Sequence, residues 1–571
     1  MKQVAFFAGS LMLLSPALAD ADVRGASEFD VARPGRELVA HAADFGVVAD
    51  GRDCTAALNN ALNACRSNGV GRLVFGRGVY RFAGGRGIAV DSMRDFVLDG
   101  AGAEFVFFRK SGVNFDVRNC ERLEMRDFSV DWDWERDPLA SLVAVEDRAA
   151  DHVDFRFVHY DQFPRRDVRV AYTSPWDAET QSVGVLGKGS GRGFDMSWGH
   201  GKKRPLVRKE WLGGNLLRVY AAVGPEFRQG DLYRMQHYYY DLGGFSFCDN
   251  SDVFMENVEV KSCAGHAFHF TGDRRVHFRN VNVRVPKDDA RRVITCTADH
   301  FHIKRSLGFF KLEHCEFSRG ADDCVNMHDV SAFAKGRPND FTVRARHVGK
   351  DLFRAGDRVE IRRSDYADTG FVSALAEVRA VPGGGNMVDL VFSERVPPLD
   401  GDGFVLFNRR FDTHNVIIRD CFFHDNRARG VIVQCPDVTL ERCRFLHHES
   451  EAIKVTTGWT EQLWCEGYGV TNLVVRDCVF ERTNAAGGKG QAVFVGTYRK
   501  VPSYERIDMS GVPMLRDVVF EGNRFVDIPA YDMLIGSVSN IVLRGNAFLS
   551  RDSSGQMMRR DARTRYVGQA R

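Results

Sequence analysis

The chain has 571 residues, 44% of them hydrophobic and 27% charged, a balance that is ordinary for a folded protein and excludes a disordered chain, a collagen and a polytopic membrane protein. The 78 basic and 76 acidic side chains leave a formal net charge of +2, which provides no basic field to hold nucleic acid. Thirteen cysteines are many for such a chain, and their odd number raises the question of whether they pair.

Residues 1–19 have the pattern of a cleavable secretory signal peptide. Lys2 precedes an apolar run from Val4 to Leu14, and Ala17-Leu18-Ala19 supplies a cleavage site. The run is shorter than the roughly 20 residues that a membrane-spanning helix requires. We therefore expect a periplasmic or secreted protein without a membrane span. Because no cysteine follows the cleavage site, a membrane-tethered form is the less favoured alternative.

A short amphipathic helix is predicted near the start of the mature chain. Its apolar face carries four side chains at spacings of 4, 4 and 3 residues, namely Cys54, Leu58, Leu62 and Cys65. Asp53 is the candidate N-cap, and Asn68-Gly69 is the candidate stop. A helix at this place would cap the first coil of a solenoid, whose sheet would otherwise have an exposed edge.

A repeat of about 22 residues organises the rest of the chain. Cysteine fills one slot of the repeat at four positions, and valine or asparagine fills it at four others: Cys315, Cys421, Cys443, Cys478, Val258, Val281, Asn523 and Asn546. Each unit has short β-branched strands and no helix, which is typical of a parallel β-solenoid. We predict that these cysteines form a buried ladder of free thiols rather than a disulfide framework.

Two segments break the repeat and alternate apolar and polar residues between turns, which predicts antiparallel strands. Each is expected to be a small β-barrel or β-sandwich inserted into the solenoid. The predicted organisation is a signal peptide (1–19), the cap and first coils (20–140), an insertion (141–240), coils that carry the candidate site (241–336), a second insertion (337–409), the C-terminal coils (410–555) and a tail (556–571).

The most polar cluster within a coil is Asp322-Asp323-Cys324-Val325-Asn326-Met327-His328. Asp299 lies 23 residues before Asp322, one repeat length, so the two are expected to stack about 4.8 Å apart on neighbouring coils. An arbitrary Asp-Asp pair more often forms a solvated Asx turn or a calcium site. Three converging carboxylates on an exported protein, however, suit glycoside hydrolysis, which needs one group as acid and another as base or nucleophile.

Two tryptophans, Trp459 and Trp464, fall in a segment that interrupts the repeat after a later coil. An aromatic side chain at such a place can stack on a sugar or anchor a loop by packing. The sequence leaves both interpretations open.

These motifs carry a resemblance to known families. Residues 43–51, Ala-Asp-Phe-Gly-Val-Val-Ala-Asp-Gly, resemble the opening of the right-handed parallel β-helix superfamily of pectate lyases and polygalacturonases. More specifically, the chain is similar to glycoside hydrolase family 110, the exo-acting α-1,3-galactosidases. The motifs concerned are Val130-Asp131-Trp132-Asp133, Thr297-Ala298-Asp299, Asp322-Asp323 with Asn326 and His328, Arg427-Ala428-Arg429-Gly430-Val431, and Trp464-Cys465-Glu466-Gly467.

The resemblance implies an all-β, right-handed parallel β-helix that carries both insertions, and a reaction that inverts the anomeric centre. It implicates Asp299, Asp322 and Asp323 in catalysis, without deciding which is the acid and which the base. It places four further residues in substrate binding: Asn326, His328, Trp464 and Glu466. The chain departs from the family pattern where His300 follows Asp299 and where Asp329 follows His328, which bears on the glycan accepted.

The leading hypothesis is an exo-glycosidase that removes terminal α-1,3-linked galactose from an oligosaccharide or glycoconjugate by single displacement, without a metal or other cofactor. It predicts carboxyl groups about 6.5–9.5 Å apart. The alternatives are a Ca²⁺-dependent polysaccharide lyase with Lys304 or Arg319 as base, a polygalacturonase-like hydrolase, and a non-catalytic glycan-binding solenoid. The near-neutral charge favours an uncharged glycan over a polyuronate. The oligomeric state, a homodimer included, is left open.

Overall fold

Parallel strands of successive coils stack into two long sheets, which confirms the predicted parallel β-helix. The computed structural model describes residues 23–567 apart from residues 110–111, 190, 196–207, 347–351, 400, 461–463, 487–489 and 501–506. The predicted signal peptide, residues 1–19, and the end of the predicted tail lie outside the described residues. None of the helices in the described part of the chain has the length and apolar character needed to cross a membrane.

The first sheet, which we name the cleft sheet because it lines the cleft described below, has thirteen strands among the described residues. Eleven of them stack in parallel: Ile88–Asp91, Gly112–Arg118, Leu242–Cys248, Phe268–Thr271, Phe301–Lys304, Val325–His328, Val431–Gln434, Ile453–Thr460, Gln491–Lys500, Tyr531–Gly536 and Thr564–Tyr566. Two short strands, Cys465–Glu466 and Ile507–Met509, pair antiparallel at its side.

The second sheet, which we name the outer sheet, has twenty strands among the described residues and bends around the remaining sides of the solenoid. Its strands are Val39–His41, Arg72–Val74, Val79–Phe82, Arg94–Phe107, Glu121–Trp132, Ser251–Val260, Arg274–Val283, Phe310–Glu313, Glu316–Ser318, Val416–Arg419, Phe422–His424, Val438–Glu441, Arg444–Leu446, Val470–Arg476, Val479–Glu481, Leu515–Glu521, Arg524–Val526, Val538–Arg544, Ala547–Arg551 and Met557–Arg559.

The repeated slot forms ladders inside the solenoid, as its spacing predicts. Cys315, Cys421, Cys443 and Cys478 are buried, and all thirteen cysteines are free thiols. Two residues after each cysteine or asparagine of the slot a phenylalanine points inward, and these rings stack at centroid distances of 4.8–5.5 Å from Phe317 through Phe423, Phe445, Phe480 and Phe525 to Phe548. Aromatic stacking of this kind adds to the free energy gained by burying the rings, so the repeat is held by apolar contacts and not by disulfides.

The predicted capping helix is present over Thr55–Ser67, after a short 3-10 helix over Ala42–Phe45. Cys54 occupies the N-cap position, while the Asp53 side chain accepts hydrogen bonds from the amide and the hydroxyl of Thr55 at 3.0 and 2.6 Å. The predicted apolar face is buried against the first coils. The helix thus covers apolar surface that the first coil would expose.

The first insertion is an antiparallel sheet of eight described strands: Ala140–Arg148, His152–Phe157, Tyr172–Asp177, Ser182–Val183, Arg192–Gly193, Arg208–Trp211, Leu216–Tyr220 and Leu232–Gln236. Among the described residues the order of these strands is open, so the predicted barrel geometry does not describe this insertion. The buried guanidinium of Arg234 donates to the carbonyls of Arg319 and Gly320, each at 3.2 Å. This contact fixes the insertion to the coil that carries the candidate site.

The second insertion is a closed antiparallel barrel, as predicted. Its strands are Ser331–Asn339, Thr342–Arg346, Arg358–Arg363, Asp368–Ala380, Val388–Phe392 and Phe404–Asn408. The indole of Trp459 stacks on Phe333 at a centroid distance of 4.0 Å, and its Nε1 donates to the Ser364 carbonyl at 2.7 Å. Trp459 therefore anchors the barrel to the solenoid by packing, one of the two interpretations that the sequence left open.

An N-terminal strap, residues 23–33, crosses the outer sheet. The amides of Gly25, Ala26 and Ser27 donate to side-chain oxygens on three successive coils at 2.7–2.9 Å. Further along, the Lys311 ammonium donates to the Phe29 carbonyl at 2.6 Å, and the Ala32 amide donates to Asp252 at 2.8 Å. The strap thus ties coils together along the solenoid axis, perpendicular to the direction of the chain within each coil.

Candidate active site

A cleft of about 1220 Å³ lies between the cleft sheet and the first insertion. Successive residues of a strand point to opposite faces, so Phe301 and Ile303 are buried in the solenoid while His302 and Lys304 project into the cleft. The opposite wall comes from the first insertion, including the glycine-rich residues 186–189 and 191–193. The fold therefore places polar side chains of several coils in one row, facing a second domain.

The three predicted catalytic aspartates converge in this cleft. One carboxylate oxygen from each of Asp299, Asp322 and Asp323 lies within 4.8 Å of one from each of the others. Phe301 pairs with Val325 across the strands, which sets an offset of 24 residues. Asp299 therefore stacks on Asp323, and not on Asp322 as the spacing of 23 residues predicted. Asp322, the residue before Asp323, supplies the third carboxyl group of the cluster.

The oxygen separations within the cluster are shorter than the 6.5–9.5 Å predicted for an inverting pair. The expected separation is thus not found within the trio of Asp299, Asp322 and Asp323. Two oxygens up to 4.8 Å apart can still accept hydrogen bonds of about 2.8 Å from one water molecule placed between them. The trio therefore has room for a bridging water shared by two carboxylates.

Each aspartate has its own polar partner. The Tyr240 hydroxyl donates to Oδ2 of Asp322 at 2.5 Å. The backbone N–H of Arg429 donates to Oδ1 of Asp323 at 3.0 Å, and its guanidinium lies 3.6 Å from the same oxygen. Oδ2 of Asp299 is 2.5 Å from Nδ1 of His302. These contacts fix the orientation of all three carboxyl groups.

Burial and mutual repulsion keep protons on the cluster. Burial raises the pKa of Asp299 well above its ordinary value, and the charges of Asp322 and Asp323 raise it further. Burial also raises the pKa of Asp323 to about 7, although the Arg429 guanidinium opposes the shift. Carboxyl groups this close titrate together. Near neutral pH one group of the cluster can therefore donate a proton while another accepts one.

Four histidines line the cleft sheet beside the aspartates. The rings of His266, His269, His302 and His328 contact one another at centroid distances of 5.1–5.5 Å. Burial lowers the pKa of His266 to about 3 and that of His269 to about 4. It also lowers the pKa of His302 well below its usual range. The wall is therefore uncharged near neutral pH.

Within the cleft, two sets of described side chains have the proximity that a divalent cation requires. They are the aspartate trio and the set of His266, Asp299 and His302, in each of which one potential ligand atom per residue lies within 4.8 Å of the others. In the second set both ring nitrogens of His302 are already in use, with Asp299 at 2.5 Å and with Nε2 of His328 at 3.0 Å. A cation bound there would have to replace these hydrogen bonds.

The four residues assigned to substrate binding all reach this region. Asn326 and Glu466 line the cleft, and so does Trp464, whose Nε1 donates to the Tyr498 hydroxyl at 2.9 Å. His328 lines a smaller adjoining cavity instead. Burial raises the pKa of Glu466, but His328 and Gln434 outweigh it and the net pKa is lowered. Glu466 is therefore an anion near the aspartates.

Several lining residues were not predicted from the sequence. His302 could have been found, because it lies three residues after Asp299 and one position into a strand that faces the cleft. Lys454 occupies the equivalent position two coils beyond Asn326. Burial lowers its pKa to about 8. Tyr240 and Tyr498 had no signal, since one belongs to the end of the first insertion and the other to a strand whose register the sequence does not fix.

Comparison with known proteins supports this architecture. The family described as "Right handed beta helix region" matches residues 399–497. Alpha-1,3-galactosidase A of Shewanella woodyi is 23% identical over 483 residues, which cover 78% of this chain and 76% of that protein. Alpha-1,3-galactosidase B of Bacteroides thetaiotaomicron is 23% identical over 476 residues, which cover 76% of this chain and 74% of that protein.

Among solved structures, an exopolygalacturonase from Thermotoga maritima aligns over 93% of this chain and 96% of its own, at 13% identity and a TM-score of 0.41. The match to the family model and the two relatives named alpha-1,3-galactosidases confirm the resemblance inferred from the sequence motifs. The chain has a right-handed β-helix fold and is similar, over most of its length, to proteins named alpha-1,3-galactosidases.

Proposed function

We propose that the protein is an exported glycoside hydrolase that removes terminal α-1,3-linked galactose from oligosaccharides or glycoconjugates. The observation that carries the proposal is the convergence of Asp299, Asp322 and Asp323 within 4.8 Å at a cleft large enough for an oligosaccharide. The similarity to proteins named alpha-1,3-galactosidases supports the choice of galactose. Export rests on the signal pattern of residues 1–19, and N-terminal sequencing of the mature protein tests it.

The proposed reaction is a single displacement. One carboxyl group of the trio donates its proton to the glycosidic oxygen, so the bond from that oxygen to the anomeric carbon breaks and the aglycone leaves as an alcohol. A carboxylate of the trio accepts a proton from the water that attacks the anomeric carbon from the opposite face. The raised pKa values of Asp299 and Asp323 support a resting state that holds the donated proton.

Substitution of the adjacent aspartates tests the assignment. Asp322→Asn and Asp323→Asn should each lower kcat by about 10³-fold or more, because each removes an ionisable group that the proton transfers require. Asp389→Asn, in the barrel strand Val388–Phe392 and paired with Arg344, is the matched control and should keep wild-type kinetics. Near-wild-type rates in both active-site variants would show that the assignment is wrong.

The anomer of the first-formed galactose tests the stereochemistry. Single displacement on an α-galactoside releases β-galactose, which NMR of the fresh reaction mixture distinguishes from the α form. The close spacing of the trio is nearer to the 5–5.5 Å of retaining enzymes than to the inverting range. Release of α-galactose as the first product would therefore replace single displacement with a covalent intermediate on one of the three aspartates.

A galactose-release screen tests the substrate. We expect release from Galα1-3Gal and from the blood-group B trisaccharide, and none from Galα1-4Gal or polygalacturonate. Trp464 and Tyr498 supply aromatic surface for a sugar face at one side of the cleft. Binding of these glycans without any galactose release would favour a glycan-binding solenoid.

A polysaccharide lyase is the second candidate, because one of the two predicted bases does line the cleft. Lys304 projects into it, and burial and the charge of Arg305 lower the pKa of Lys304, as a catalytic base requires. The Arg319 guanidinium instead lies over the Trp176 ring at 5.8 Å and donates to the Arg292 carbonyl. Loss of activity with EDTA and an unsaturated product that absorbs ultraviolet light would favour the lyase.

A further inference from the structure

A second cavity of about 260 Å³ opens beside the cleft, between the cleft sheet and the barrel. It shares four lining residues with the cleft: His302, Lys304, Trp464 and Glu466. The barrel contributes Ser331, Phe333 and Arg346 to its wall. The cavity is thus a side branch of the candidate active site that only the presence of the barrel creates.

The charges around this cavity do not balance. Lys304, Arg305 and Arg346 line it, whereas Glu466 is the one carboxylate among the described lining residues. Glu466 is engaged elsewhere, since it accepts a hydrogen bond from Gln434 at 3.0 Å and lies 3.9 Å from Nε2 of His328. Basic side chains therefore outnumber acidic ones around this cavity.

Two polar groups of the cavity lack partners within the described part of the chain. The Ser331 side chain is buried, with 2% of the residue exposed, and its hydroxyl makes no hydrogen bond there. The Lys304 ammonium makes no hydrogen bond or close ion pair there; burial lowers its pKa, and the charge of Glu466 opposes that shift. A buried hydroxyl without a partner costs free energy. A ligand that accepts hydrogen bonds would satisfy both groups.

We infer that this cavity is a subsite for an anionic substituent, a carboxylate or a sulfate, on the glycan held in the cleft. An oxyanion can accept hydrogen bonds from the ammonium, the guanidinium and the hydroxyl together. Phe333 and Leu352 add apolar surface to the wall beside these donors. The inference rests on the proposed function in that the occupant is part of a glycan substrate.

The position of the cavity limits which sugars of the glycan can carry the charged substituent. His302 contacts Asp299 at 2.5 Å, and Lys304 lies two residues further along the same strand, a distance of about 7 Å at the rise of a β-strand. This is about the length of one hexose. The charged substituent therefore belongs to one of the two sugars that adjoin the cleaved bond.

Calorimetric titration of the full-length mature protein at low ionic strength tests the subsite without any assay of activity. The probes are inorganic sulfate, D-galacturonate and, as the neutral comparison, D-galactose. Lys304→Met and Arg346→Met should each weaken binding of an anionic probe by about tenfold, and Arg346 is exposed, so that variant is expected to fold. Arg379→Met, an exposed barrel variant whose arginine pairs with Glu377, is the matched control.

The two anionic probes separate the two sources of the charge. Saturable binding of sulfate that both cavity variants weaken supports a sulfated glycan, and the same result with galacturonate alone supports a uronate. Absence of binding for both anions, or binding that Arg379→Met weakens as much as Arg346→Met, overturns the inference.

Hydrolysis then links the subsite to the substrate. Galα1-3Gal with a sulfate on O6 of either sugar should give a higher kcat/KM than the unsulfated disaccharide. Arg346→Met should lower the preference for the sulfated disaccharide, its kcat/KM divided by that of the unsulfated one, by about tenfold. If neither disaccharide releases galactose, the proposed function fails, while the titration still decides the fate of the anion subsite. An unchanged preference for the sulfated disaccharide in the variant contradicts the subsite and does not affect the proposed function.

Discussion

The Tyr240 hydroxyl donates a 2.5 Å hydrogen bond to Oδ2 of Asp322, and this bond joins the first insertion to the solenoid at the candidate active site. Tyr240 lies four residues after the end of Leu232–Gln236, the last strand of the first insertion, whereas Asp322 belongs to a coil of the solenoid. Burial raises the pKa of Tyr240 well above its ordinary value, and Asp299 and Asp322 raise it further, so the hydroxyl keeps its proton and acts as a donor. The insertion therefore orients a catalytic candidate and does more than cover the cleft.

Tyr240→Phe should lower kcat by about 10–100-fold, because a hydrogen bond to a charged group is lost. The fold should survive, since the ring keeps its packing against Tyr239 at 5.0 Å. Steady-state kinetics and circular dichroism check both statements. Tyr220→Phe removes a comparable bond to Glu210 on the exposed side of the same insertion and should leave kcat unchanged. Equal effects of the two variants would mean that Tyr240 has no role at Asp322.

Asp323→Asn should make the protein more stable than the wild type at pH 8, and the advantage should shrink toward pH 4. The carboxyl group has a pKa of about 7 in the folded protein against an ordinary value of 3.8, so the folded state holds a proton that the unfolded chain releases. The stability it contributes is fully present below about pH 4 and is lost as the pH rises through about 7. Removal of the buried charge should then gain about 1–3 kcal/mol at pH 8.

Melting temperatures measured across this pH range decide the question. Asp340→Asn is the opposite control, because Arg337 and Arg395 lower the pKa of that exposed carboxyl group, so its substitution should lower stability at pH 8. An Asp323→Asn variant that is less stable than the wild type at pH 8 would contradict the raised pKa.

The fold was largely predictable from the sequence because every coil of a solenoid repeats the same apolar pattern and packs on its neighbours in the same way. A slot filled by cysteine or asparagine recurs along the chain and is followed two residues later by an inward phenylalanine such as Phe445 or Phe480. Valine takes both positions in the coils of Val258 and Val281. Periodicity of this kind survives insertions, since each coil needs only its neighbours. The capping helix was equally visible in the spacing of its buried face.

The site was predictable only in part, because its geometry depends on register and on contacts between distant segments. The pairing of Phe301 with Val325 places Asp323, and not Asp322, beside Asp299. A shift of one residue is invisible in a spacing of 23 or 24, yet it decides which carboxyl group is stacked and buried. Tyr240 reaches the site through the docking of the first insertion, and no local pattern of the chain records that docking.

Gly25→Ala should detach the end of the N-terminal strap. Gly25 has a φ of +72°, and a Cβ atom there would lie 2.2 Å from Oγ1 of Thr439, the atom that accepts a hydrogen bond from the Ala26 amide. The substitution therefore meets both backbone strain and a steric clash, which together cost about 1–3 kcal/mol. Limited proteolysis with trypsin should cut after Arg24 several-fold faster than in the wild type, because local opening exposes this bond.

Gly35→Ala is the matched control for the strap. A Cβ atom at Gly35 has no heavy atom within 4 Å, so this variant should be cleaved at the wild-type rate. If Gly25→Ala resists trypsin as well as Gly35→Ala does, the contacts of the strap do not hold it on the solenoid in solution.

The thiols should be unreactive in the folded protein and fully countable after unfolding. All thirteen cysteines are free, eleven are buried, and only Cys248 and Cys465 are half-buried. Burial raises the pKa of Cys65 to about 11 and that of Cys120 to about 12, so these two thiols form almost no thiolate at neutral pH. Burial also keeps a disulfide reagent away from the other buried thiols. Titration with such a reagent at pH 7.5 should detect at most two fast thiols in the native protein and about thirteen in denaturant. A denatured count several thiols lower would mean that cysteines pair after export. The thiol of Cys443 donates to the Ile418 carbonyl at 3.5 Å. If Cys443 were one of the paired cysteines, Cys443→Ala would cost the stability of a disulfide as well as that of a buried side chain.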